Sequence, residues 1–161
     1  MKRPRYLYTA GYEGMTSEAF ISRLAAEAIR TLVDVRALPL SRKPGFSKTA
    51  LSKLLADRGI GYLHMPSLGC PKSVRDRYKL DRDWTQYTAS FMEHLAGQQA
   101  AIAELAKIGS TTTAALMCFE ADPAQCHRTF VARAVSQAGA PPVAHITART
   151  VIPELACRAA A

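Results

Sequence analysis

The sequence lacks long apolar runs, an apolar signal-peptide core and closely paired cysteines. The uncharged stretch 108–119 has only 12 residues, whereas a membrane span needs about 18 or more. No apolar segment follows the basic pair Lys2-Arg3, which argues against a secretory signal. None of the four cysteines lies in a CxxC pair, the usual pattern of zinc ribbons and thioredoxins. We therefore expect a cytoplasmic protein with no membrane contact, whose thiols are kept reduced.

Basic residues are concentrated between residues 36 and 82. This segment holds eleven of the 21 Lys and Arg residues against only three Asp, so it carries the entire formal net charge of +8. Such one-sided charge favours a phosphate-rich partner, a nucleic acid or a nucleotide, because each contact between a basic side chain and a phosphate releases condensed counterions. A solvated basic face without a partner is an equally good interpretation at this point.

Predicted strands and helices alternate along the chain. Periodicity and turn residues predict strands at 6–10, 31–35, 60–65, 111–119 and 143–146. Helices are predicted after the caps Thr16, Ser47 and Asp122, and at 83–107 up to Gly109. These lengths suit right-handed βαβ crossovers. The sequence thus predicts one α/β domain over residues 1–161, with three layers around a mostly parallel sheet of about five strands.

Two segments interrupt this alternation. Residues 66–83 contain two prolines and a glycine followed by basic residues, which predicts a loop insertion, and loops of that length are usually functional or disordered. The C-terminal tail begins at about residue 148 and is expected to add at most a short helix.

Polar residues follow three of the predicted strands. Gly11, Tyr12 and Glu13 come after the first strand, and Asp34 and Arg36 end the second. The fourth strand is followed by Cys118, Glu120 and Asp122, and then by Cys126-His127-Arg128 in the opening turns of the next helix. Parallel sheets bind ligands beyond the carboxyl ends of their strands. With strand order 3-2-1-4-5, the three loops are expected to share one crevice.

The same segments resemble the domain-of-unknown-function family 488. The matching pieces run in order from about residue 6 to 147, and include 8–14 (YTAGYEG), 32–36 (LVDVR) with Pro39, Ser41 and Phe46, 59–62 (GIGY), 68–69, 118–120 (CFE), 126–128 (CHR) and 145–146. In one departure, this chain has Gly69-Cys70 where the family usually has two glycines. The resemblance implies a Rossmann-like fold and no established activity.

The helix after Asp122 offers the candidate catalytic residues. A helix amino terminus attracts anions and lowers the pKa of a nearby thiol, so Cys126 is a candidate nucleophile. His127 is expected to face the sheet, and with Glu120 it is a candidate acid or base, oriented by Asp34. The alternative is purely structural, with Cys126 as a small buried apolar residue and His127 as a core histidine.

An anion site is expected from Arg36 and Arg128, with Arg128 reaching the rim of the crevice to grip a phosphate or carboxylate. The further candidates are backbone or side-chain groups of Gly11, Tyr12, Glu13 and Ser41. Asp34 and Arg36 are equally able to pair only with each other, since residues two apart on a strand share a face. For Ser41, a solvated loop position is the stronger interpretation.

Aromatic residues accompany the basic segment. Tyr78, Trp84 and Tyr87 are candidates for stacking on bases. Anchoring of a long helix to the core is the favoured alternative.

Three functions remain open from the sequence. The leading hypothesis is an enzyme acting on a nucleotide or a nucleic acid. The second is a non-catalytic module that binds the same ligands. The third is a metal site of Cys118, Glu120, Cys126 and His127, which is disfavoured because the spacing from 118 to 126 is too long for a zinc knuckle. No metal and no cofactor are therefore expected.

Overall fold

Six strands form one sheet in the computed structural model, which describes residues 2–154. The strands are β1 (Leu7–Gly11), β2 (Thr31–Asp34), β3 (Gly61–His64), β4 (Ala114–Cys118), β5 (Val143–Ile146) and β6 (Val151–Pro153). The helices are α1 (Ser17–Ala26), α2 (Lys48–Ala56), α3 (Lys72–Asp81), α4 (Trp84–Ala96), α5 (Gln99–Thr111) and α6 (His127–Gln137).

The sheet has the order β3-β2-β4-β1-β5-β6. The first five strands are parallel, and β6 pairs antiparallel with β5. The predicted α/β class with a mostly parallel sheet is confirmed, with six strands instead of about five. The predicted order 3-2-1-4-5 is wrong, because β4 lies between β1 and β2. All five residues of β4 are buried, as expected for a central parallel strand covered on both faces.

Helices cover both faces of the sheet, which gives the three predicted layers. Successive strand residues point to opposite faces, so in β1 Leu7 packs with the core under α4, α5 and α6, whereas Tyr8 packs with the core under α1 and α2. Phe91 anchors the first core and Phe20 the second, and both are almost completely buried.

The segment predicted as one helix over 83–107 forms two. Helix α4 starts at its cap Asp83, whose side chain accepts from the backbone N–H of Gln86 at 3.0 Å, and it ends at Gly97. Helix α5 then continues through Gly109 to Thr111. Gly109 does not end the helix. Its lack of a side chain allows close packing, since a Cβ there would lie 3.3 Å from Leu7.

The segment 66–83, predicted as a loop, contains a short 3-10 turn and the ten-residue helix α3. Two exposed ion pairs, Lys72–Asp76 and Arg77–Asp81, support this helix, and each joins side chains four residues apart, about one helical turn. Val74 and Tyr78 on the same helix pack against the core beside α4. The segment was predicted as a loop because most of its residues are basic or polar, and the few apolar positions of this amphipathic helix were not recognised.

The start of α6 and the tail also differ from expectation. Asp122 caps a short 3-10 turn at Pro123–Gln125, and α6 begins only at His127, with Cys126 as its cap. In place of a helix, the tail adds β6 to the sheet edge. The remainder of the predicted tail, 155–161, lies outside the described residues.

No helix in the part of the chain from residue 2 to 154 is long and apolar enough to cross a membrane.

Candidate functional site

A pocket of about 490 Å³ opens at the carboxyl ends of β1, β2 and β4. The loops after these strands contribute one wall, and helices α3 and α4 contribute the other. Volumes of this size suit a small-molecule ligand. The predicted position of the crevice therefore coincides with a pocket, although β4 and not β1 is the middle strand of the three. The lining residues are Tyr12, Arg36, Ala37, Leu38, Leu40, Cys70, Arg75, Tyr78, Lys79, Arg82, Trp84, Tyr87, Cys118, Phe119, Glu120, Gln125 and His127.

Cations outnumber acids in this pocket by four to one. Arg75, Lys79 and Arg82 come from α3 and its C-terminal cap, and Arg36 follows β2. Among residues 2–154, Glu120 is the single carboxylate in the lining. The Nε atom of Arg75 is buried and, among the described residues, has no hydrogen-bond partner. A buried donor of this kind is costly unless a ligand or water satisfies it.

Aromatic rings form the second element of the pocket. Trp84 and Tyr87 stack on each other with their centroids 4.8 Å apart, and Tyr78 lies 5.2 Å from Tyr87. Phe119 borders the opening and is 45% exposed. The rings contact the core through Phe91, as the helix-anchoring interpretation expects, and they also face the pocket, so stacking on a base stays a prediction.

Asp34 and Arg36 pair directly through two parallel hydrogen bonds of 2.9 and 2.7 Å. The carboxylate is fully buried and also accepts from the hydroxyl of Tyr62, while Arg36 donates to the hydroxyl of Tyr12 at 3.2 Å. The pairing foreseen as an alternative is thus observed. Arg36 still lines the pocket, although two of its guanidinium nitrogens already donate hydrogen bonds to Asp34.

Cys118 and Cys126 are joined by a disulfide. Cys126 is only 1% exposed, so the expectation of an accessible, reactive thiol is wrong. The expectation that all thiols are free fails for this pair as well. The two residues meet because the loop after β4 turns back and places the cap of α6 against the end of the strand.

Arg128 is completely buried, so its predicted position at the rim is also wrong. Its guanidinium donates to the backbone carbonyls of Glu120 and Ala121, and one of its nitrogen atoms lies 3.5 Å from the sulfur of Cys118. Burial lowers the pKa of Arg128 to about 10. The residue therefore holds the loop after β4 in place instead of contacting a ligand.

His127 faces the sheet, as predicted. Its Nε2 lies 2.9 Å from the carbonyl oxygen of Val35, which can only accept, so this nitrogen carries the hydrogen. Its Nδ1 lies 3.9 Å from the sulfur of Cys126. Burial lowers the pKa of His127 to about 4, which keeps the ring neutral at neutral pH.

Glu120 lies at the pocket wall, with one carboxylate oxygen 3.2 Å from the sulfur of Cys118. Burial raises the pKa of this carboxyl group above its ordinary value. A carboxyl group with a raised pKa is suited to proton transfer near neutral pH.

The remaining predicted anion-binding residues have structural partners. Gly11 packs against the backbone of Glu120, and Glu13 accepts from the backbone N–H of Ala121 at 3.0 Å. Ser41 bonds with Ser47 and with the backbone of Lys43 in a turn outside the pocket lining. Of this group only Tyr12 lines the pocket.

Sequence reasoning did not single out Arg75, Lys79 and Arg82 within the basic segment. Their spacing of four and then three residues places them on one face of a helix. That signal was present in the sequence, but it becomes informative only once the segment is recognised as helical.

Comparison with known protein families gives a match over most of the chain. The model of the family described as Domain of unknown function DUF488 matches residues 16–135, which is well over half of the chain. The matched range contains Arg36, Arg75, Glu120 and Cys126-His127-Arg128, and it leaves out Gly11, Tyr12 and Glu13. No curated protein and no solved structure matches the sequence.

Proposed function

The chain belongs to the DUF488 family, and we propose that this member is an enzyme that binds a nucleotide, free or within a nucleic acid, in the strand-end pocket. The observation that carries the proposal is the Nε atom of Arg75 in the pocket wall, which is buried and has no hydrogen-bond partner within residues 2–154. An anionic ligand would supply the missing acceptor, and Lys79 on the same helix and Arg82 at its C-terminal cap would share its charge.

The aromatic cluster supports a nucleotide over a simple phosphate. Bases stack on aromatic side chains with about 1–3 kcal/mol per base. The stacked pair Trp84 and Tyr87 offers such a surface within the same pocket as the cations. One ligand with both a flat ring and a phosphate would satisfy the two features together.

Glu120 is the proposed acid–base residue. Of the residues that the structure describes, it is the single carboxylate in the pocket lining, and burial raises its pKa. Cys126 is bonded to Cys118, and the neutral ring of His127 donates to Val35, so neither is placed for proton transfer to a ligand in this state. Asp34 is proposed to position Arg36.

Replacing Arg75 with Gln is expected to weaken nucleotide binding about 10- to 100-fold, because hydrogen bonds to charged groups are worth about 1.5–3 kcal/mol. Trp84 is the single tryptophan of the sequence and lines the pocket, so its fluorescence reports binding directly. Titration with a nucleoside monophosphate and with the matching nucleoside separates the contribution of the phosphate. The nucleoside should bind more weakly to the wild type and be nearly unaffected by the substitution.

Arg77→Gln is the matched control for this experiment. Arg77 lies on the same helix, pairs with Asp81 and is absent from the pocket lining, so its loss removes the same charge without removing a pocket contact. Equal weakening by both variants would show a diffuse effect of charge and contradict the pocket. A single-stranded oligonucleotide should bind with an affinity that falls steeply between about 50 and 200 mM salt if the ligand is a nucleic acid.

Glu120→Gln is expected to separate catalysis from binding. The amide keeps the size of the side chain but removes its ability to exchange a proton, and loss of general acid–base catalysis typically lowers turnover about 100- to 10,000-fold. Nucleotides and oligonucleotides would be incubated with wild type and variant, and the products separated by chromatography. Binding that is retained without any turnover in the wild type would favour the non-catalytic module.

A further inference from the structure

We infer that Cys118, Cys126 and His127, when the disulfide is reduced, bind a zinc-class divalent ion at the floor of the pocket. Within residues 2–154, the ligand atoms of these three buried residues all lie within 4.8 Å of one another. Zinc bonds to thiolate sulfur at about 2.3 Å and to histidine nitrogen at about 2.0–2.1 Å, so only small side-chain movements on reduction are needed for one ion to reach all three. The inference does not depend on the nucleotide proposal.

The chain path explains why the spacing in the sequence gave little support to this site. Cys118 is the last residue of β4, whereas Cys126 caps α6 and His127 begins it. The Cα atoms of the two cysteines are 7.6 Å apart, which exceeds the usual range of about 4.4–6.8 Å for disulfides. Once the disulfide is reduced, this backbone separation allows the two side chains to part and to hold an ion between their sulfurs.

The surroundings of the sulfurs suit thiolates. The backbone N–H of Arg128 lies 3.4 Å from the sulfur of Cys126, and its guanidinium lies 3.5 Å from that of Cys118. Arg128 supplies a single positive charge beside the two thiolates, so they leave an excess of negative charge that a divalent ion neutralises. Buried charges require such compensation.

His127 is already oriented as a ligand. Since its Nε2 donates to Val35, the unprotonated Nδ1 faces Cys126. A ligating histidine typically donates its other ring N–H in this way, which fixes its tautomer and orientation.

The three ligands leave a fourth position toward the pocket. Cys118 and His127 line the pocket, and Glu120 lies beside Cys118. Three protein ligands with an open position is the arrangement of catalytic zinc sites, whereas structural sites have four. We assign this open position to an oxygen of water or of a bound ligand.

Metal binding requires reduction of the disulfide first, and a dithiol is sufficient as the reductant. A dithiol reductant supplies two electrons and two protons, so that the disulfide opens to two thiols and the reductant becomes a disulfide. Binding of the ion then releases the two thiol protons to solvent. The oxidised protein, with no thiolates at this position, has no such site.

Cobalt(II) is the probe for the test, because thiolate ligation gives near-ultraviolet charge-transfer absorption and tetrahedral geometry gives strong visible bands. The background carries Cys70→Ser and Cys157→Ser, so that only Cys118 and Cys126 contribute sulfur. After reduction by a dithiol and its anaerobic removal, we expect one cobalt ion per chain, displaced by zinc. The same protein left oxidised should show neither band.

His127→Gln in the same background should weaken cobalt binding by at least about tenfold, since even the loss of supporting residues around a metal costs that much. Cys126→Ser leaves Cys118 as the one sulfur donor of the site, so it should weaken cobalt binding and reduce the charge-transfer intensity to about half or less, with circular dichroism as the check on folding. Failure of the reduced parent protein to develop the band would overturn the inference without reference to any variant. A charge-transfer band of unchanged intensity and affinity in a folded Cys126→Ser variant would also overturn it.

Discussion

Replacing Asp34 with Ala is expected to lower the free energy of unfolding by about 3–5 kcal/mol, because it leaves the buried guanidinium of Arg36 without its counter-charge. Arg36 is 7% exposed, and both oxygens of Asp34 accept from it. The substitution also leaves the hydroxyl of Tyr62 without its acceptor. Urea unfolding followed by circular dichroism measures the change.

Two variants make this experiment specific. Asp76→Ala removes a carboxylate from an exposed pair with Lys72 and should change stability little. The double variant Asp34→Ala/Arg36→Met removes both charges and should recover a substantial part of the lost stability. An Asp34→Ala protein as stable as the wild type would mean that Arg36 finds solvent or another partner.

Gly11→Ala is expected to have the second largest effect. A Cβ at the end of β1 would overlap the backbone carbonyl of Glu120, which cannot move aside as a flexible side chain can. Overpacking of this kind costs about 1–3 kcal/mol, and more where backbone must shift. Because the displaced loop carries Phe119 and Glu120, which form part of the pocket wall, nucleotide binding should weaken together with stability in urea unfolding and Trp84 titrations.

Gly61→Ala is the matched control, since Gly61 is also a strand residue. A Cβ there would lie 3.7 Å from its nearest neighbour, which is an ordinary contact. Equal loss of stability in the two variants would mean that any glycine-to-alanine change in a strand has this effect. The packing of Gly11 against the loop would then not be its cause.

The fold class and the edge of the sheet that carries the pocket were both predictable from the sequence. Alternating strands and helices indicate a parallel sheet, and polar residues after three strands indicate the carboxyl edge. The pairing of Asp34 with Arg36 was one of two equal alternatives from their spacing, and the structure shows it with Arg36 just beyond the end of β2. These inferences rest on local periodicity, which the sequence displays directly.

The positions of Arg128 and Cys126 could not be predicted in the same way. Arg128 is buried because the carbonyls of Glu120 and Ala121 turn inward to meet it, and only the three-dimensional path of that loop shows this. The contact between Cys118 and Cys126 depends on the same path. The sequence identifies which residues end each element, whereas the loops decide which of them reach the pocket.

The position of β4 has a consequence for how the protein folds. β4 separates β1 from β2, and its last residue, Cys118, follows Asp34 by more than 80 positions. At about 5–20 residues per second, a ribosome needs on the order of ten seconds to synthesise that interval. During this time β1 and β2 have exposed edges and no partner between them. Assembly of the sheet centre is therefore expected to be a late, long-range and slow event, in which emerging chains depend on protection from aggregation.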